Sequence, residues 1–369
     1  MIEKIRVFMK KCYEKCNFSK IILYFISLVI LVISRKYKGF ISEANEAIND
    51  HVKDKSNISK IKRELILFRV IYKIRPNEYF LYDFSSRSYS DRDKYITREM
   101  TNGYYKLINN FDALKIFNDK YLSYKVFKDL FNRDMFYYKD EEDKEEFINF
   151  VKKNNSFVLK PVDGHGGVGI RFLSLSDYKS ALELYDSVKE FSPFVVEEIV
   201  NQSLDMASFH PESLNTVRVV TFQNYGHMSI VWAFLRVGQG DSNVDNMTSG
   251  GLGALVDNET GIVISDAIDY KGSKVVSHPD SNVVFKGFKL PDWEGLKSIL
   301  AKLSAKVPSA HCIGWDMAHT DKGWVLIEGN GRAQVVTIQV LNDKGYKPLF
   351  EKMAYLCNVD CGDENDEEE

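Results

Sequence analysis

Hydrophobic and polar positions divide the chain into stretches of different periodicity. Residues 1–40 contain one apolar run, and residues 41–150 show helix-like spacing that is rich in Tyr, Phe and charged residues. From about residue 151 onward, alternating strand-like patterns dominate. The alternation is interrupted by three helical patterns, near residues 176–190, 291–306 and 345–357. We therefore expect an α+β fold in which a helical region precedes a mostly β part.

The apolar run IILYFISLVILVI, from Ile21 to Ile33, lies between Lys20 and the pair Arg35 and Lys36. The run is too short to cross a hydrocarbon core of roughly 30 Å comfortably. A signal peptide is disfavoured because basic residues follow, without a small-residue cleavage site. The run fits an interfacial membrane anchor as well as a helix packed against the protein, and a membrane span is the least favoured interpretation. Its basic flanks predict attraction to anionic membrane surfaces.

A glycine-rich segment with the spacing G-x-G-x-x-G joins two strand patterns in LKPVDGHGGVGIRF, residues 159–172. A Rossmann turn needs a helix that opens directly on the glycines, but here a helical pattern begins only at Ser176. The H-R-D and D-F-G motifs of kinases and the G-K-[ST] of a Walker loop do not occur in the sequence. The segment therefore predicts a hairpin flap whose backbone N–H groups close over a triphosphate, preceded by Lys160 at the end of a strand.

A second cluster of polar residues lies near the C-terminus, in CIGWDMAHTDKGWVLIEGNGR. Two strand patterns flank residues 321–323, which predict a three-residue hairpin loop. If Thr320 pairs with Trp324, the antiparallel register places Asp316 directly opposite Glu328.

The period of two along a strand also places Asn330 on the same face as Glu328. Two carboxylates and one amide are the oxygen ligands that Mg²⁺ prefers, with positions left for water and phosphate. Solvent-facing polar residues on an ordinary hairpin are the alternative. The lysine and glycine flap elsewhere in the chain favour the metal site.

Composition narrows the class of protein. The 369 residues contain 44% hydrophobic residues and a net charge of -3, with a pI near 6.2, so no basic surface for nucleic acid is expected. Cys12 and Cys16, like Cys357 and Cys361, have helical spacing, and Cys312 lies in a strand-like run. Because no disulfide or zinc spacing appears, we expect reduced thiols in a cytoplasmic protein.

Three motifs, L-K-P-x-x-G-x-G-G-x-G, V-V-E-E-I and D…L-I-E-G-N, occur in the order that the ATP-grasp fold uses. The segments HPESLNTVRVVTF, VDN…SGG and GWDMAHTDKGWVLIEGN resemble the sugar-transfer-associated ATP-grasp family of polysaccharide gene clusters. The resemblance covers residues 110–340. It implies an α+β ATP-grasp fold, with two α+β lobes clamping ATP, preceded by a helical N-terminal region. The expected domains are a basic and apolar segment at 1–40, a helical region at 41–110, the ATP-grasp domain at 111–345, and a C-terminal helix with an acidic tail at 346–369.

The resemblance also implies site residues. For the nucleotide they are Lys120 and Lys160 at the phosphates, the flap residues Gly164, His165, Gly166, Gly167 and Gly169, the adenine-reading hinge Glu197, Glu198 and Ile199, and Asp205 at the ribose. The usual Gly-x-Glu is missing at Asp205. The implied metal ligands are Asp316, Glu328 and Asn330.

Further residues are implied on the second-substrate side. Arginine holds phosphate or carboxylate bidentately, which suits reaction chemistry near the metal. The candidate catalytic residues are Arg218, Arg236 and Arg332, together with Lys160. The residues expected to shape the second-substrate side are Asn215, Asp245, Asn246, Gly250, Gly251 and Gly253. His278 fits an acceptor site and a satisfied loop histidine equally well.

The resemblance implies a carbon–nitrogen ligase that uses ATP with Mg²⁺ or Mn²⁺ and joins a carboxylate to an amine through an acyl phosphate. The expected substrates are small molecules or glycan precursors of cell-surface polysaccharide such as a capsule. A phosphotransferase on a sugar hydroxyl and a non-catalytic nucleotide-binding component of a polysaccharide assembly complex remain alternatives. We expect a cytoplasmic protein, with peripheral association to the inner face of the cell membrane left open, and no nucleic-acid partner.

Overall fold

The computed structural model describes residues 2–15, 19–162 and 169–359. These residues form fourteen α-helices, which are α1 Ile2–Lys15, α2 Ser19–Ile33, α3 Tyr37–His51, α4 Ile58–Tyr72, α5 Pro76–Leu81, α6 Tyr89–Arg92, α7 Arg98–Ile108, α8 Lys120–Phe131, α9 Lys144–Lys153, α10 Ala181–Val188, α11 Leu204–Ala207, α12 Trp293–Ala305, α13 Val336–Leu341 and α14 Lys347–Val359. They also form eleven strands, which are β1 Met135–Tyr138, β2 Ser156–Pro161, β3 Arg171–Ser174, β4 Phe194–Glu198, β5 Thr216–Asn224, β6 His227–Val237, β7 Leu252–Val256, β8 Ala267–Ile268, β9 Lys274–Val275, β10 Cys312–Thr320 and β11 Gly323–Asn330. The predicted α+β class is confirmed.

The chain divides into two compact units. The helical unit contains the described residues up to Ile108, the short segment Lys271–Ser273 and those from Gln334 onward, so it includes α1–α7, α13 and α14. The β unit contains Asn109–Tyr270 and Lys274–Ala333, and with them every strand of the described residues.

The core of the helical unit is built around α4. Phe68, which is fully buried, makes edge-to-face contacts with Tyr13, Tyr72 and Phe84 at centroid distances between 5.4 and 6.2 Å. The guanidinium of Arg92 lies 4.6 Å from the centre of the Phe68 ring and donates to the Phe84 carbonyl. A buried cation is stabilised in this apolar core because the ring face and the carbonyl both compensate its charge.

None of the described helices combines the length and the apolar character that crossing a membrane requires.

The first sheet of the β unit has four antiparallel strands in the order β1-β4-β2-β3. Helices α9 and α10 cover it, and the buried aromatic residues Phe147, Phe157 and Phe194 lie in the shared core. Strands β2 and β3 pair antiparallel, as predicted for the two strands that flank the glycine segment. The following helix begins later than predicted, because Ser180 rather than Ser176 accepts the capping hydrogen bond, from the Glu183 amide.

The second sheet of the β unit has seven antiparallel strands in the order β11-β10-β5-β6-β7-β8-β9. Trp315 of β10 is fully buried in the core of this sheet and donates from its indole nitrogen to the Thr221 hydroxyl. Helix α12 belongs to the same core, and its bounds agree with the helical pattern predicted for residues 291–306.

The β10–β11 hairpin has the predicted pairing of Asp316 with Glu328, but its loop and register differ from the prediction. Thr320 pairs with Gly323 instead of Trp324, so the loop has two residues and the predicted three-residue loop is wrong. A bulge then inserts Ile327 as an extra residue on β11, which shifts the register by one. Asp316 consequently lies opposite Glu328, as predicted.

Candidate functional site

A cleft in the β unit is lined by residues of both sheets and of α8. Its lining includes Lys120 at the start of α8, Lys160 on β2 and Glu197 on β4. Glu328 and Asn330, at the end of β11, line the same cleft. Five residues predicted from the sequence are therefore brought together in one cleft.

Glu197 is a buried carboxylate that orients Lys160. Its Oε2 lies 2.8 Å from Lys160 Nζ and 2.8 Å from an Nη atom of Arg133. Burial by itself raises the pKa of Glu197, but the two cations prevail and lower it to about 2. Glu197 is thus ionised at neutral pH, and Lys160 is held at the cleft wall by a buried ion pair.

Arg133 connects this ion pair to the bulged strand. Its guanidinium donates to Glu197 and also to the carbonyls of Leu326 and Ile327 on β11. The position follows from the local chain, because Asn132 ends α8 in the left-handed conformation (φ 52°) directly before Arg133. Arg133 is not among the residues that the sequence patterns predict for the site. Its only signal was a charged residue between a helix end and an aromatic strand.

Asp316 on β10 is 2% exposed and is held by two arginines from neighbouring strands. Arg218 on β5 grips both carboxylate oxygens with its Nε and Nη2, and an Nη atom of Arg236 on β6 lies 3.0 Å from Oδ2. Burial raises the pKa of Asp316, but Arg218 and Arg236 outweigh it and lower the pKa to about 2. Asp316 also holds the pKa of the Arg218 guanidinium above its ordinary value, against the effect of burial.

Glu328 lies directly across the hairpin from Asp316, and the Asn330 amide nitrogen is 3.4 Å from its Oε1. Burial removes water from around the Glu328 carboxyl and raises its pKa. The negative charge of the neighbouring Asp316 carboxylate raises the pKa of Glu328 as well.

These residues fit Mg²⁺ by the chemistry of their donors. A carboxylate has about four acceptor positions, and the arginines occupy three on Asp316, so one remains for a metal. Glu328 and Asn330 supply further oxygen atoms, and a cation beside Glu328 would relieve the repulsion that raises its pKa. Among the described residues, no group of three or more His, Cys, Asp or Glu side chains is arranged to hold a metal, and this site offers two carboxylates and one amide.

A second polar group surrounds Arg236. Its Nη2 donates to the Thr216 hydroxyl at 2.8 Å, and its Nε lies 3.4 Å from Asp245 Oδ2. The Thr216 hydroxyl donates in turn to Asp245. Burial raises the pKa of Asp245, while Arg236 and Thr216 lower it less. Arg236 therefore joins Asp316 to the loop that contains Asp245.

Other residues expected on the second-substrate side have packing roles. The fully buried Asn215 side chain donates to the carbonyls of Met206 and His210. Asn246 accepts from the Thr248 amide and hydroxyl. A Cβ on Gly251 would lie 2.4 Å from the Asp245 carbonyl oxygen, so only glycine fits there. A Cβ on Gly253 would lie 2.7 Å from the Met247 sulfur, and Gly250 has a φ of 100°, which favours glycine.

Three further predicted residues have surroundings of their own. Arg332 is exposed, with its guanidinium 5.9 Å from the centre of the Phe111 ring, and Asp205 is exposed on α11. His278 is fully buried, and its two ring nitrogens bond the Gly238 carbonyl at 2.7 Å and the Asp280 amide at 3.3 Å. These backbone hydrogen bonds satisfy both ring nitrogens of His278, as expected for a buried loop histidine. A role in binding the acceptor substrate is not needed to explain its position.

The remaining nucleotide candidates concern the hinge and the flap. On β4, Glu198 accepts a hydrogen bond from the Asp134 amide at 3.1 Å, and Ile199 directly follows the strand. Gly164, His165, Gly166 and Gly167 lie outside the described residues. Gly169 has a φ of 77°, and a Cβ there would lie 2.8 Å from the Pro161 ring, so this end of the flap requires glycine.

Comparison with known proteins assigns the family. The profile of the sugar-transfer-associated ATP-grasp family matches residues 99–354, while no curated protein sequence matches the chain. Among solved structures, the ATP-grasp ligase PsnB with its minimal precursor is 14% identical (TM-score 0.41, covering 68% of this chain and 63% of that chain). D-alanyl-alanine synthetase A of Vibrio cholerae is 14% identical (0.43, 68% and 68%), and D-alanine–D-alanine ligase of Bacillus anthracis is 15% identical (0.40, 70% and 72%).

This chain thus spans less than two thirds of the PsnB chain. At such low identity and superposition scores, the assignment depends on the family profile, which matches more than half of the chain. The motifs on β2, β4, β10 and β11 fall within the matched residues, in the order expected for the fold. The protein belongs to the sugar-transfer-associated ATP-grasp family.

Proposed function

We propose that this protein is an ATP- and Mg²⁺-dependent carboxylate–amine ligase that modifies a sugar or glycan precursor of cell-surface polysaccharide. The observation that carries the proposal is the shared cleft, which is lined by Lys120, Lys160, Glu328 and Asn330 together. Cations and oxygen donors in one cleft suit the two requirements of phosphoryl transfer, which are positioning and charge stabilisation.

The two lysines are suited to hold phosphate oxygens. Lys160 has three N–H donors, and among the described residues it uses one of them on Glu197, so phosphate could meet the others. Lys120 reaches the carbonyl of Val162, at the start of the glycine segment, at 3.5 Å. A flap formed by this segment would bring the phosphates of a bound triphosphate toward both amines.

Asp316, Glu328 and Asn330 would hold Mg²⁺, with Mn²⁺ as the other suitable ion. Bound there, the metal supplies charge neutralisation to the transferred phosphoryl group. Arg218 and Arg236 keep Asp316 ionised, so this ligand needs no deprotonation at neutral pH. They also keep its two oxygens in a defined orientation.

Arg218 would bind the substrate carboxylate. It uses two of its five N–H donors on Asp316, which leaves others for an oxyanion. The carboxylate oxygen would bond to the γ-phosphorus as its bond to ADP breaks, giving an acyl phosphate. The amine nitrogen would then bond to the acyl carbon, inorganic phosphate would leave, and the nitrogen would lose a proton to solvent.

Replacing Arg218 by Lys should reduce turnover far more than ATP affinity. A lysine keeps the positive charge but cannot contact both Asp316 oxygens and a substrate carboxylate at once. We expect turnover to fall by about 10²-fold or more, with the dissociation constant for ATP changed much less. Phosphate release and calorimetric titration with ATP measure the two quantities. Equal losses in both would show that Arg218 acts on the nucleotide instead.

Trapping with hydroxylamine tests the ligase directly. Purified protein with ATP and Mg²⁺ is incubated with candidate carboxylates and amines, and ADP, phosphate and product mass are measured. We expect ADP and phosphate in equal amounts, and a hydroxamate when hydroxylamine replaces the correct amine. A phosphorylated sugar without free phosphate would replace the ligase by a phosphotransferase. Binding of ATP without turnover on any substrate pair would favour the non-catalytic alternative.

A further inference from the structure

Helix α2 has one face that packs against the helical unit. Leu23, Ser27 and Leu31 are at most 3% exposed, and their spacing of four places them on one side of the helix. This side belongs to the core that includes α4, the helix against which α2 packs. The Ser27 hydroxyl donates to the Leu23 carbonyl at 2.8 Å, so the one polar residue of this face is satisfied. On this inner side of α2, the apolar residues are buried and the one polar side chain has a hydrogen-bond partner.

The opposite face of α2 is apolar and open to solvent. At about 100° per residue, its side chains point away from Leu23, Ser27 and Leu31. Each is between 53 and 75% exposed, and they are Ile21, Ile22, Phe25, Val29, Val32 and Ile33. Helix α1, which packs beside α2, exposes Val7 and Phe8 as well. Single exposed apolar residues are common, but a row along a whole helix marks an interaction surface.

The chain around this apolar face is strongly basic. Residues 1–40 contain nine Lys or Arg and two Asp or Glu, whereas the rest of the chain contains 40 Lys or Arg and 50 Asp or Glu. The exposed basic residues next to the face are Lys4, Lys11, Lys20, Arg35, Lys36 and Lys38. An apolar face with basic borders matches the boundary between anionic lipid headgroups and acyl chains. A second copy of this chain would bring the same positive charge to the contact, which disfavours a symmetric dimer.

We propose that the outer face of α1 and α2 docks the protein on an anionic membrane surface, a property beyond the ligase function. Helix α2 has 15 residues and thus a length of about 22 Å, which is shorter than a hydrocarbon core of about 30 Å. Because α4 covers its inner side, α2 lies in the plane of the interface with only the outer face in lipid. Lys and Arg on both ends reach the headgroups.

Vesicle sedimentation of the full chain tests the docking. Phosphatidylcholine vesicles with and without phosphatidylglycerol are compared at low and high salt. We expect binding to the anionic vesicles that weakens about tenfold or more in high salt or on replacement of Arg35 and Lys36 by Glu. Equal binding to neutral vesicles, or none to either, would overturn the proposal.

Two variants separate the outer face from the rest of the surface. Ile22→Glu combined with Val29→Glu should abolish sedimentation with vesicles. Leu182→Glu, at an exposed apolar residue of α10, should leave it unchanged. Gel filtration of the wild type and the double variant tests self-association. A dimer lost in the double variant, without binding to vesicles, would assign the face to a second copy and contradict the proposal.

Phe25→Trp adds a fluorescence readout in a variant that introduces no charge. This test therefore does not require the Glu variants to remain folded. The four native tryptophans, Trp232, Trp293, Trp315 and Trp324, are buried in the β unit, so lipid cannot reach them. We expect the added indole fluorescence to shift to the blue on anionic vesicles and to be quenched by brominated lipid. An emission spectrum unchanged by vesicles would contradict insertion of this face.

Discussion

Replacing Glu328 by Gln should abolish most turnover while leaving the fold intact. The substitution keeps the shape of the side chain but removes one of the two anionic oxygen ligands proposed for the metal. We expect turnover to fall by about 10²-fold or more, and the dependence of ATP binding on Mg²⁺ to weaken. Phosphate release and ATP titration with and without Mg²⁺ measure these effects.

Stability distinguishes this outcome from misfolding. The pKa of Glu328 is raised by its surroundings, so its ionised form costs stability as pH rises through the unfolded-state and then the folded-state pKa. Gln carries no charge, and we therefore expect the melting temperature at neutral pH to be equal or higher. Glu294→Gln, at an exposed residue of α12, serves as the matched control and should keep full turnover. Wild-type turnover in Glu328→Gln would refute the metal assignment.

Replacing Arg133 by Met should cause a large loss of folding stability. Arg133 is 3% exposed and its partner Glu197 is 6% exposed, so among the described residues the substitution leaves this buried carboxylate with Lys160 as its one ion-pair partner. The carbonyls of Leu326 and Ile327 lose their donor as well. Breaking a buried ion pair on one side costs about 3 to 5 kcal/mol. Denaturant unfolding measures the loss, and Arg63→Met, at an exposed arginine, should change stability by less than about 0.5 kcal/mol.

The pH dependence of the unfolding free energy tests whether the lost ion pair causes the loss of stability in Arg133→Met. Glu197 has a folded pKa of about 2 against an ordinary value of 4.5. Its stabilising contribution is therefore complete above pH 4.5 and is lost as pH falls toward 2. In Arg133→Met the pKa of Glu197 should rise, so the difference in unfolding free energy between wild type and variant should shrink from pH 7 toward pH 3. A difference that stays constant over this range would point to lost packing instead.

Local patterns in the sequence were sufficient for the parts of the site that lie within one hairpin or one strand pair. Strands β2 and β3 flank the glycine segment as predicted, because their apolar, β-branched residues and the glycines between them are local signals. The predicted pairing of Asp316 with Glu328 was also correct, although the predicted loop was one residue longer than the observed one. The bulge at Ile327 compensated for that error, and no local signal predicts a bulge of this kind.

Contacts between distant segments could not be predicted in this way. Arg133 and Glu197 are 64 residues apart, and their ion pair exists only because β1 and β4 pair in the first sheet while β11 lies close to Arg133. Arg218 grips Asp316 because the two residues are direct partners across β5 and β10. The sequence indicated arginines near the proposed metal ligands but not which carboxylate they bind.

By itself, the sequence determined the fold family and the pairing of Asp316 with Glu328 in the β10–β11 hairpin. Only the tertiary structure decided which charges neutralise one another, that His278 is satisfied by the backbone, and which side of α2 is covered. The run from Ile21 to Ile33 is apolar on nearly every side, so it has no periodicity that selects a buried face. Periodicity reports a face only when polar residues alternate with apolar ones. For a helix that is apolar all round, the inner side is whichever side its neighbour α4 covers.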